Sequence, residues 1–269
     1  MAMDSLEMKN VLSVDWEAWY QTASMSGRPC PVDPLLYGLE SATDKMLEAL
    51  GKTRATFFVV AANAVEYPAL VRRIAHAGHE IALHGAVHQN IGCFSPEQFE
   101  RAIIRAKHAV EDIAGASVIG FRAPNWSIGT GTLWAMDILV KAGFKYDASM
   151  TAAVFSRVRG GIPAGILEIP RSGFGPLHLP YGGGAFLRVY PYALTRRLIL
   201  NANAAGRSAV IYVHPWEIDH RWTEVRRLDW RPRCIMGFGC DGLRSKLVGL
   251  FREFQLGSFQ DIFFSRSSV

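Results

Sequence analysis

Cysteine is scarce in this sequence. There are 4 cysteines in 269 residues, and none of them forms a CxxC pair. Four thiols are too few to crosslink a chain of this length, which excludes a small disulfide-stabilised scaffold. We therefore expect reduced thiols, as in a cytoplasmic protein.

Long apolar runs are absent as well. No run of eighteen apolar residues occurs, and the first segment, MAMDSLEMKNVLSVDWEAW, has acidic residues where a signal peptide has basic ones. We therefore expect neither a transmembrane segment nor export through a signal peptide.

Positive charge is present but not concentrated. The formal net charge is +5, and the densest basic cluster, HRWTEVRRLDWRPR at 220–233, is interrupted by Glu224 and Asp229. No nucleic-acid-binding motif accompanies this cluster, so we expect no nucleic-acid partner.

Strand-like and helix-like segments alternate along the chain. Apolar runs at 11–16, 55–61 and 80–84 are separated by segments of helical periodicity at 41–51 and 66–78. This alternation is typical of βαβ units and predicts an α/β fold with a parallel sheet or barrel. The clearest helix is predicted over 95–115, with a cap, a capping box and a terminal glycine supplied by Ser95, Gln98 and Gly115.

Polar side chains recur at the C-terminal ends of the strand-like runs. In a parallel sheet or barrel these ends lie on one face, where active sites form. The sequence therefore predicts one site formed by Asp15, Glu17, His84, His88, Arg122 and His214.

These residue types suit metal-assisted hydrolysis. His84 and His88, four residues apart, can bind one cation, and a carboxylate supplies a third ligand. Asp15 and Glu17 are two residues apart and leave an extended strand on the same side, so one can bind the metal while the other takes a proton from bound water. Zinc is the expected ion, with Co²⁺, Ni²⁺ and Mn²⁺ as alternatives.

The remaining candidates have two interpretations each. Arg122 can orient a carboxylate or form a surface ion pair. His214 can donate a proton to a departing amine, with Asp147 setting its tautomer, or can be a core histidine. Trp126 is either an apolar wall against a sugar ring or part of the core.

Seven stretches carry a resemblance to a known family: SVDWEAWY, HGAVH, FRAPNWSI, KYDAS, LEIP, YGGGAFLRVYPYALTRR and YVHPWEID. Together they resemble the polysaccharide deacetylase family (NodB homology, carbohydrate esterase family 4). The resemblance is closer to the branch found with exopolysaccharide-export and exosortase gene clusters, which has a distinctive C-terminal segment.

The resemblance implies a distorted, incomplete (β/α) barrel over 1–269, with 181–269 as a C-terminal extension packed on the barrel. It also implies metal-dependent removal of acetyl from an N-acetylated amino sugar, with a backbone amide of 124–126 helping to bind the oxyanion. By similarity, the metal ligands are His84 and His88, the general base is Asp15 with Arg122 as its partner, and the general acid is His214 supported by Asp147.

One position departs from the family pattern. Many members have two adjacent aspartates in the first motif, whereas Trp16 follows Asp15 here. Relatives with an acid-x-acid arrangement imply that Glu17 is the third metal ligand. The division of roles between Asp15 and Glu17 stays open at this point.

The glycine run 182–184 lacks the lysine of a phosphate loop, and we expect no helix after it. We interpret it as a flexible turn near the substrate groove, or as a plain turn. Substrate contacts are predicted at Tyr181, Arg188, Asn125 and Trp126.

Two other functions fit the same residues. The chain could hydrolyse another non-peptide C–N bond, as allantoinase-like and imidase-like relatives do, or it could be a noncatalytic glycan-binding module. The sequence leaves open the sugar, its linkage and carrier, the metal and the oligomeric state.

Overall fold

The structure is a computed structural model that describes residues 8–22, 38–224 and 230–265. Cys30 and the middle of the basic cluster, 225–229, lie outside the described residues. The chain divides into two compact units. The first comprises Met1–Thr56 and Tyr181–Val269, and the second comprises Phe57–Pro180.

The strands are mostly short, and the helices fall between them. The strands are β1 (Asn10–Trp16), β2 (Thr56–Val59), β3 (Glu80–Leu83), β4 (Gly120–Phe121), β5 (Tyr146–Asp147), β6 (Leu167–Glu168), β7 (Gly173–Phe174), β8 (Leu179–Pro180), β9 (Val210–Val213) and β10 (Leu256–Gly257). The helices are α1 (Leu39–Leu50), α2 (Ala61–Glu66), α3 (Pro68–His76), α4 (Pro96–Ala114), α5 (Trp134–Lys141), α6 (Ala152–Val158), α7 (Gly184–Val189), α8 (Tyr192–Ala204), α9 (Pro215–Ile218), α10 (Trp230–Gly237), α11 (Cys240–Glu253) and α12 (Phe259–Phe263). Among the described helices, none is both long enough and apolar enough to cross a membrane.

The first unit is organised around β1, whose seven residues are all buried. β9 pairs with it in parallel along Val11–Val14, and β10 pairs in parallel with its first two residues. A strand that is buried throughout reads as a continuous apolar run rather than an alternating one, which is why VLSVDW could be recognised as a strand. The predicted parallel pairing is confirmed here.

Helix α7 in this unit is short, and a lysine holds its C-terminal end. Lys246, on α11, donates through Nζ to the backbone carbonyls of Leu187, Arg188 and Tyr190, at 2.8, 3.1 and 2.8 Å. These carbonyls are among the last acceptors of the helix, which have no partner within it. The lysine therefore acts as a C-terminal cap supplied by another helix.

The glycine run leads directly into α7, which begins at Gly184, so the expectation of no helix there is wrong. The run is also closely packed, so the flexible turn expected there is wrong as well. The Tyr212 amide donates to the carbonyl of Gly182 at 2.9 Å, and Gly183 forms a β-bridge with Tyr212. A Cβ at Gly182 would lie 2.0 Å from the carbonyl oxygen of Val210. The glycines are needed because this backbone lies directly against β9, with no room for side chains.

The second unit contains a sheet in the order β2-β3-β4-β5-β6, with parallel β3–β4, β4–β5 and β5–β6 pairs. Leu83 pairs with Phe121, and Phe121 pairs with Asp147. His84 directly follows Leu83, and Arg122 directly follows Phe121. The register therefore places His84 and Arg122 at the same edge of the sheet as Asp147. This edge is the C-terminal end of the strands, as predicted.

The helix predicted over 95–115 is confirmed as α4. Ser95 Oγ accepts from the Gln98 amide at 3.2 Å, and Gln98 Oε1 accepts from the Ser95 amide at 2.8 Å. Gly115 ends the helix with a φ of 65°. Both capping signals were local in the sequence, so their geometry could be predicted without knowledge of the fold.

Candidate active site

Two carboxylates lie at the C-terminal end of β1 in the first unit. Asp15 and Glu17 are each 3% exposed. Trp16, between them, is fully buried, and its Nε1 donates to Thr43 Oγ1 on α1 at 2.8 Å. The residue that stands where relatives have a second aspartate is thus a core residue of this unit.

His214, which follows β9, faces both carboxylates. Its Nε2 lies 4.0 Å from Asp15 Oδ2 and 3.7 Å from Glu17 Oε1. Its ring stacks on Trp216, with centroids 4.9 Å apart and an interplanar angle of 23°. The predicted placement of Asp15 and Glu17 on the same side is therefore confirmed by their common approach to one imidazole nitrogen.

The other ring nitrogen of His214 contacts a carboxylate that sequence reasoning missed. Nδ1 lies 2.9 Å from Glu217 Oε2, which also accepts from the His214 backbone amide at 2.9 Å. The sequence predicts Asp147 for this role, and that prediction is wrong, because Glu217, three residues along the same turn, contacts Nδ1. The spacing in HPWE, a capping box with proline in the first turn, was the available signal.

The electrostatic surroundings of His214 favour its charged form. Burial on its own would lower the pKa of the imidazole, but Glu217, Glu17 and Asp15 outweigh burial and raise the pKa to about 9. Since an imidazole is protonated below its pKa, His214 holds a donatable proton at neutral pH.

Two predicted substrate contacts are buried in the first unit. Tyr181 is 2% exposed and Arg188 is 7% exposed. Arg188 Nε lies 2.9 Å from Glu217 Oε1, and its Nη1 donates to the carbonyl of Phe238 at 2.9 Å. The observed contacts of Arg188 are therefore with the carboxylate behind His214 and with the backbone at the end of α10.

The histidine pair lies at the edge of the sheet in the second unit. His84 is 2% exposed, and its Nδ1 lies 2.8 Å from the backbone carbonyl oxygen of Arg122. Because a carbonyl only accepts, Nδ1 carries the hydrogen, and Nε2 has the lone pair that a cation requires. The His84 and His88 ring centroids are 5.3 Å apart. Gly85, at a φ of +88°, forms a turn between the two histidines that allows the His88 ring to lie near that of His84.

Arg122 is fully buried in the second unit. Its guanidinium carbon lies 4.0 Å from the ring centroid of Phe58 and 4.8 Å from that of Trp126. Its Nε donates to the carbonyl of Ala148 at 3.2 Å. The alternative of a surface ion pair is therefore wrong, since a buried guanidinium held by aromatic faces is fixed in orientation.

Asp147 forms a second carboxyl cluster with Glu168, its partner in the β5–β6 register. Burial raises the pKa of Asp147. Burial, together with the charge of Asp147, raises the pKa of Glu168 well above its usual value. Ser149 Oγ donates to Asp147, and Met150 donates its amide to Glu168 Oε1 at 3.0 Å. Glu168 is the second residue that sequence reasoning missed, although LEIP had been noted as a motif.

Asn125 and Trp126 lie on a turn with unusual backbone angles. Both have a φ of 56°, a conformation that non-glycine residues rarely adopt. Asn125 is exposed, and its Nδ2 donates to Asn90 Oδ1 at 2.7 Å. Trp126 is half-buried, with the guanidinium of Arg171 5.4 Å from its ring centroid. Both side chains therefore reach the accessible edge of their unit.

Comparison with solved structures identifies the fold. A peptidoglycan N-acetylglucosamine deacetylase structure matches with a TM-score of 0.51 and 16% identity, covering 98% of this chain and 90% of that one. An allantoinase structure matches with a TM-score of 0.59 and 17% identity, covering 94% and 87%. The prediction of a distorted, incomplete (β/α) barrel is confirmed by these similarities.

Sequence comparison finds two family models, each of which matches part of the chain. Residues 35–146 match the model described as polysaccharide deacetylase, and residues 146–264 match a domain of unknown function, DUF3473. A peptidoglycan deacetylase-like protein from Gibberella zeae is 26% identical over 176 residues, which cover 61% of this chain and 51% of that protein. This chain spans about half the length of the curated relatives it matches. The family match covers less than half of the chain, so these comparisons show that residues 35–146 are similar to polysaccharide deacetylases. The chain's closer placement in the exosortase-associated branch and the extension at 181–269 stay predictions.

Proposed function

We propose that this chain is a metal-dependent hydrolase that removes the acetyl group from an N-acetylated amino sugar. The observation that carries the proposal is the approach of two buried carboxylates to within 4.0 and 3.7 Å of a ring nitrogen of His214. Amide hydrolysis needs a base for water and an acid for the departing amine, and these groups supply both. The family and the activities named for its relatives support the substrate class.

In this proposal, Glu17, His84 and His88 bind one divalent ion, with Zn²⁺ expected and Co²⁺, Ni²⁺ or Mn²⁺ as alternatives. One carboxylate and two imidazoles are a donor set that such ions prefer. The lone pair on His84 Nε2, fixed by the bond from Nδ1 to a backbone carbonyl, supports this role. When bound, the ion supplies a lowered pKa for a water molecule and polarises the acetyl oxygen.

The other proposed residues transfer protons, orient the base or bind the oxyanion. Asp15 takes a proton from the attacking water, and Arg122 is proposed from the family resemblance as the partner that orients this carboxylate. His214 gives its Nε2 proton to the amine nitrogen as the C–N bond breaks, which leaves acetate and a free amino sugar. A backbone amide of the 124–126 turn contributes to binding of the oxyanion.

Substrate contacts are proposed at the accessible turn. Trp126 packs against the sugar ring, and Asn125 hydrogen-bonds at its edge. Tyr181 and Arg188 are not proposed for direct contact, because both are buried and Arg188 pairs with Glu217.

Acetate release from N-acetylhexosamine oligomers, followed by mass spectrometry for the loss of one acetyl group, tests the proposal. A chelator should abolish acetate release, and added Zn²⁺ or Co²⁺ should restore it. His84→Ala should reduce both the bound metal and kcat/KM, the latter by about 100-fold or more. The matched control is His108→Ala, at a histidine whose side chain is 71% exposed on α4 and which should keep full activity. Acetate release that a chelator leaves unchanged contradicts the proposal.

A panel of N-acetyl sugars, ureides and imides separates this function from its rivals. The match to an allantoinase concerns the fold alone, so only turnover can distinguish another C–N hydrolase from a deacetylase. Metal binding without turnover of any amide would favour a glycan-binding module. The cytoplasmic location is proposed from the sequence and is tested by cell fractionation.

A further inference from the structure

The carboxylate of Glu217 is buried in the first unit, and both of its oxygens contact other polar groups. The residue is fully buried, and its Oε2 accepts from the His214 backbone amide and contacts Nδ1, both at 2.9 Å. Its Oε1 lies 2.9 Å from Arg188 Nε. A buried carboxylate without such partners would be strongly unfavourable, so the pocket is built for a negative charge.

Arg188 is itself fixed by the backbone around it. Its Nη1 donates to the carbonyls of Met236 and Phe238, the latter at 2.9 Å. Its helix, α7, is capped by Lys246. The guanidinium therefore has little freedom to leave Glu217, and it is 7% exposed.

A glycine leaves the space in which the carboxylate lies. A Cβ at Gly184 would stand 1.8 Å from Glu217 Oε2 and 2.4 Å from its carboxyl carbon. The φ of this residue is not in the left-handed region, so backbone conformation alone does not require glycine there. Gly184 is needed because any side chain would displace the Glu217 carboxylate.

We propose that Glu217, held between Arg188 and the bare backbone of Gly184, is the positioning residue that fixes His214 for proton donation. With Nδ1–H bonded to Glu217, the ring presents Nε2–H toward Asp15 and Glu17. In the step, the Nε2–H proton passes to the amine nitrogen, the N–H electron pair stays on the imidazole, and Glu217 remains a carboxylate. This inference rests on the proposed function.

The inference also gives a role to the segment that matches the domain of unknown function. Gly184, Arg188, His214 and Glu217 all lie within 146–264. The polysaccharide deacetylase match ends at 146. The C-terminal segment therefore supplies the proton donor together with the groups that orient it.

Comparison of an amide with an activated ester tests this role. An amine leaves only when protonated, whereas 4-nitrophenolate from 4-nitrophenyl acetate leaves without an acid. Glu217→Gln should therefore lower the ratio of amide to ester kcat by tenfold or more, with KM for the amide changed by less than about threefold. Glu217→Asp, which keeps the charge, should recover part of the ratio.

Gly184→Ala, which leaves every charged group in place, should lower the ratio in the same way by displacing the carboxylate. Gly242→Ala is the matched control, because a Cβ there meets nothing within 4 Å, and the ratio should stay at the wild-type value. Partial unfolding cannot produce the expected result, because it lowers the apparent kcat for the amide and for the ester by the same factor and leaves their ratio unchanged. A ratio lowered by less than tenfold in Glu217→Gln overturns the inference. A wild-type protein that cleaves the ester and no amide overturns the proposed function instead.

Discussion

The two units each bury a carboxyl cluster, and the clusters differ in the charge of their neighbours. In the first unit, Glu217 lies between Arg188 and His214, with both contacts at 2.9 Å. In the second unit, Asp147 lies against Glu168, another acid. Burial is nearly complete in both places, so the difference between them comes from the neighbours: Arg188 faces Glu217 directly, whereas the charge of Asp147 outweighs that of Arg122 on Glu168.

This difference decides where a proton is held. Glu217, Glu17 and Asp15 outweigh burial and hold a proton on His214, whose pKa rises to about 9. In the second unit, burial and the charge of Asp147 raise the pKa of Glu168 well above its usual value. A buried carboxylate beside a histidine thus raises the pKa of the histidine, whereas a buried carboxyl beside another acid has its own pKa raised.

The largest effect on stability is expected from removing the cation of the first cluster. Arg188→Met should lower the free energy of unfolding by about 3–5 kcal/mol, because buried Glu217 then loses the guanidinium at Oε1 and keeps only His214 as a charged partner. Arg196→Met is the control, since Arg196 pairs with Glu253 at the surface and such pairs contribute about 1 kcal/mol or less. Urea unfolding measures the free energy of unfolding of both variants. Equal decreases in the two variants would contradict the claim that the buried ion pair contributes more than the exposed one.

An intermediate effect is expected at Asp219, at the end of α9. Its carboxylate accepts from Ser41 Oγ, Lys45 Nζ and Arg221 Nη2 at 2.6, 2.8 and 2.7 Å. Burial would raise its pKa, but these bonds outweigh burial and lower the pKa well below the usual value. Asp219→Asn should cost about 2 kcal/mol at neutral pH.

The cost of Asp219→Asn should depend on pH. A lowered native pKa gives stability that is present above the unfolded-state pKa of about 4 and is lost as the pH falls further. The difference in free energy of unfolding between Asp219→Asn and the wild type, measured by chemical unfolding, should therefore become smaller below about pH 4. A difference that stays constant down to pH 2 would contradict this account of Asp219.

The smallest effect is expected from Glu168→Gln, and its pH trend should have the opposite sign. A protonated acid and an amide are similar in shape, so near pH 4 the change should be about 1 kcal/mol or less. Because the native pKa is raised, the wild type loses stability as the pH rises from about 4.3, where the unfolded chain ionises, toward the native pKa. The variant lacks this loss, so its relative stability should increase with pH. A relative stability that decreases with pH would show that Glu168 is ionised in the folded protein.

Local signals in the sequence predicted much of this structure. The caps of α4 were readable from Ser95, Gln98 and Gly115, and the two-residue spacing correctly placed Asp15 and Glu17 on one side. The rule that polar residues at strand ends share an edge holds in the second unit, where the strand register aligns the ends of β3, β4 and β5.

Contacts between distant segments could not be predicted in this way. The pairing of Arg188 with Glu217 depends on how α7 packs beside α9, which no local pattern encodes. For the same reason, the glycine run at 182–184 was interpreted as a flexible turn, although its backbone lies against β9. The acid pair of Asp147 and Glu168 arises from strand register, and the burial that raises both pKa values is encoded by no local pattern.

Because Lys246 of α11 caps α7, local unfolding of α11 should also unfold α7. A six-residue helix has too few internal bonds to persist alone, so α7 should open whenever Lys246 withdraws with its own helix. Amide protons in the two helices would then exchange with solvent as one cooperative unit. The time for which Arg188 stays in place is accordingly set by a helix that contributes no residue to the proposed chemistry.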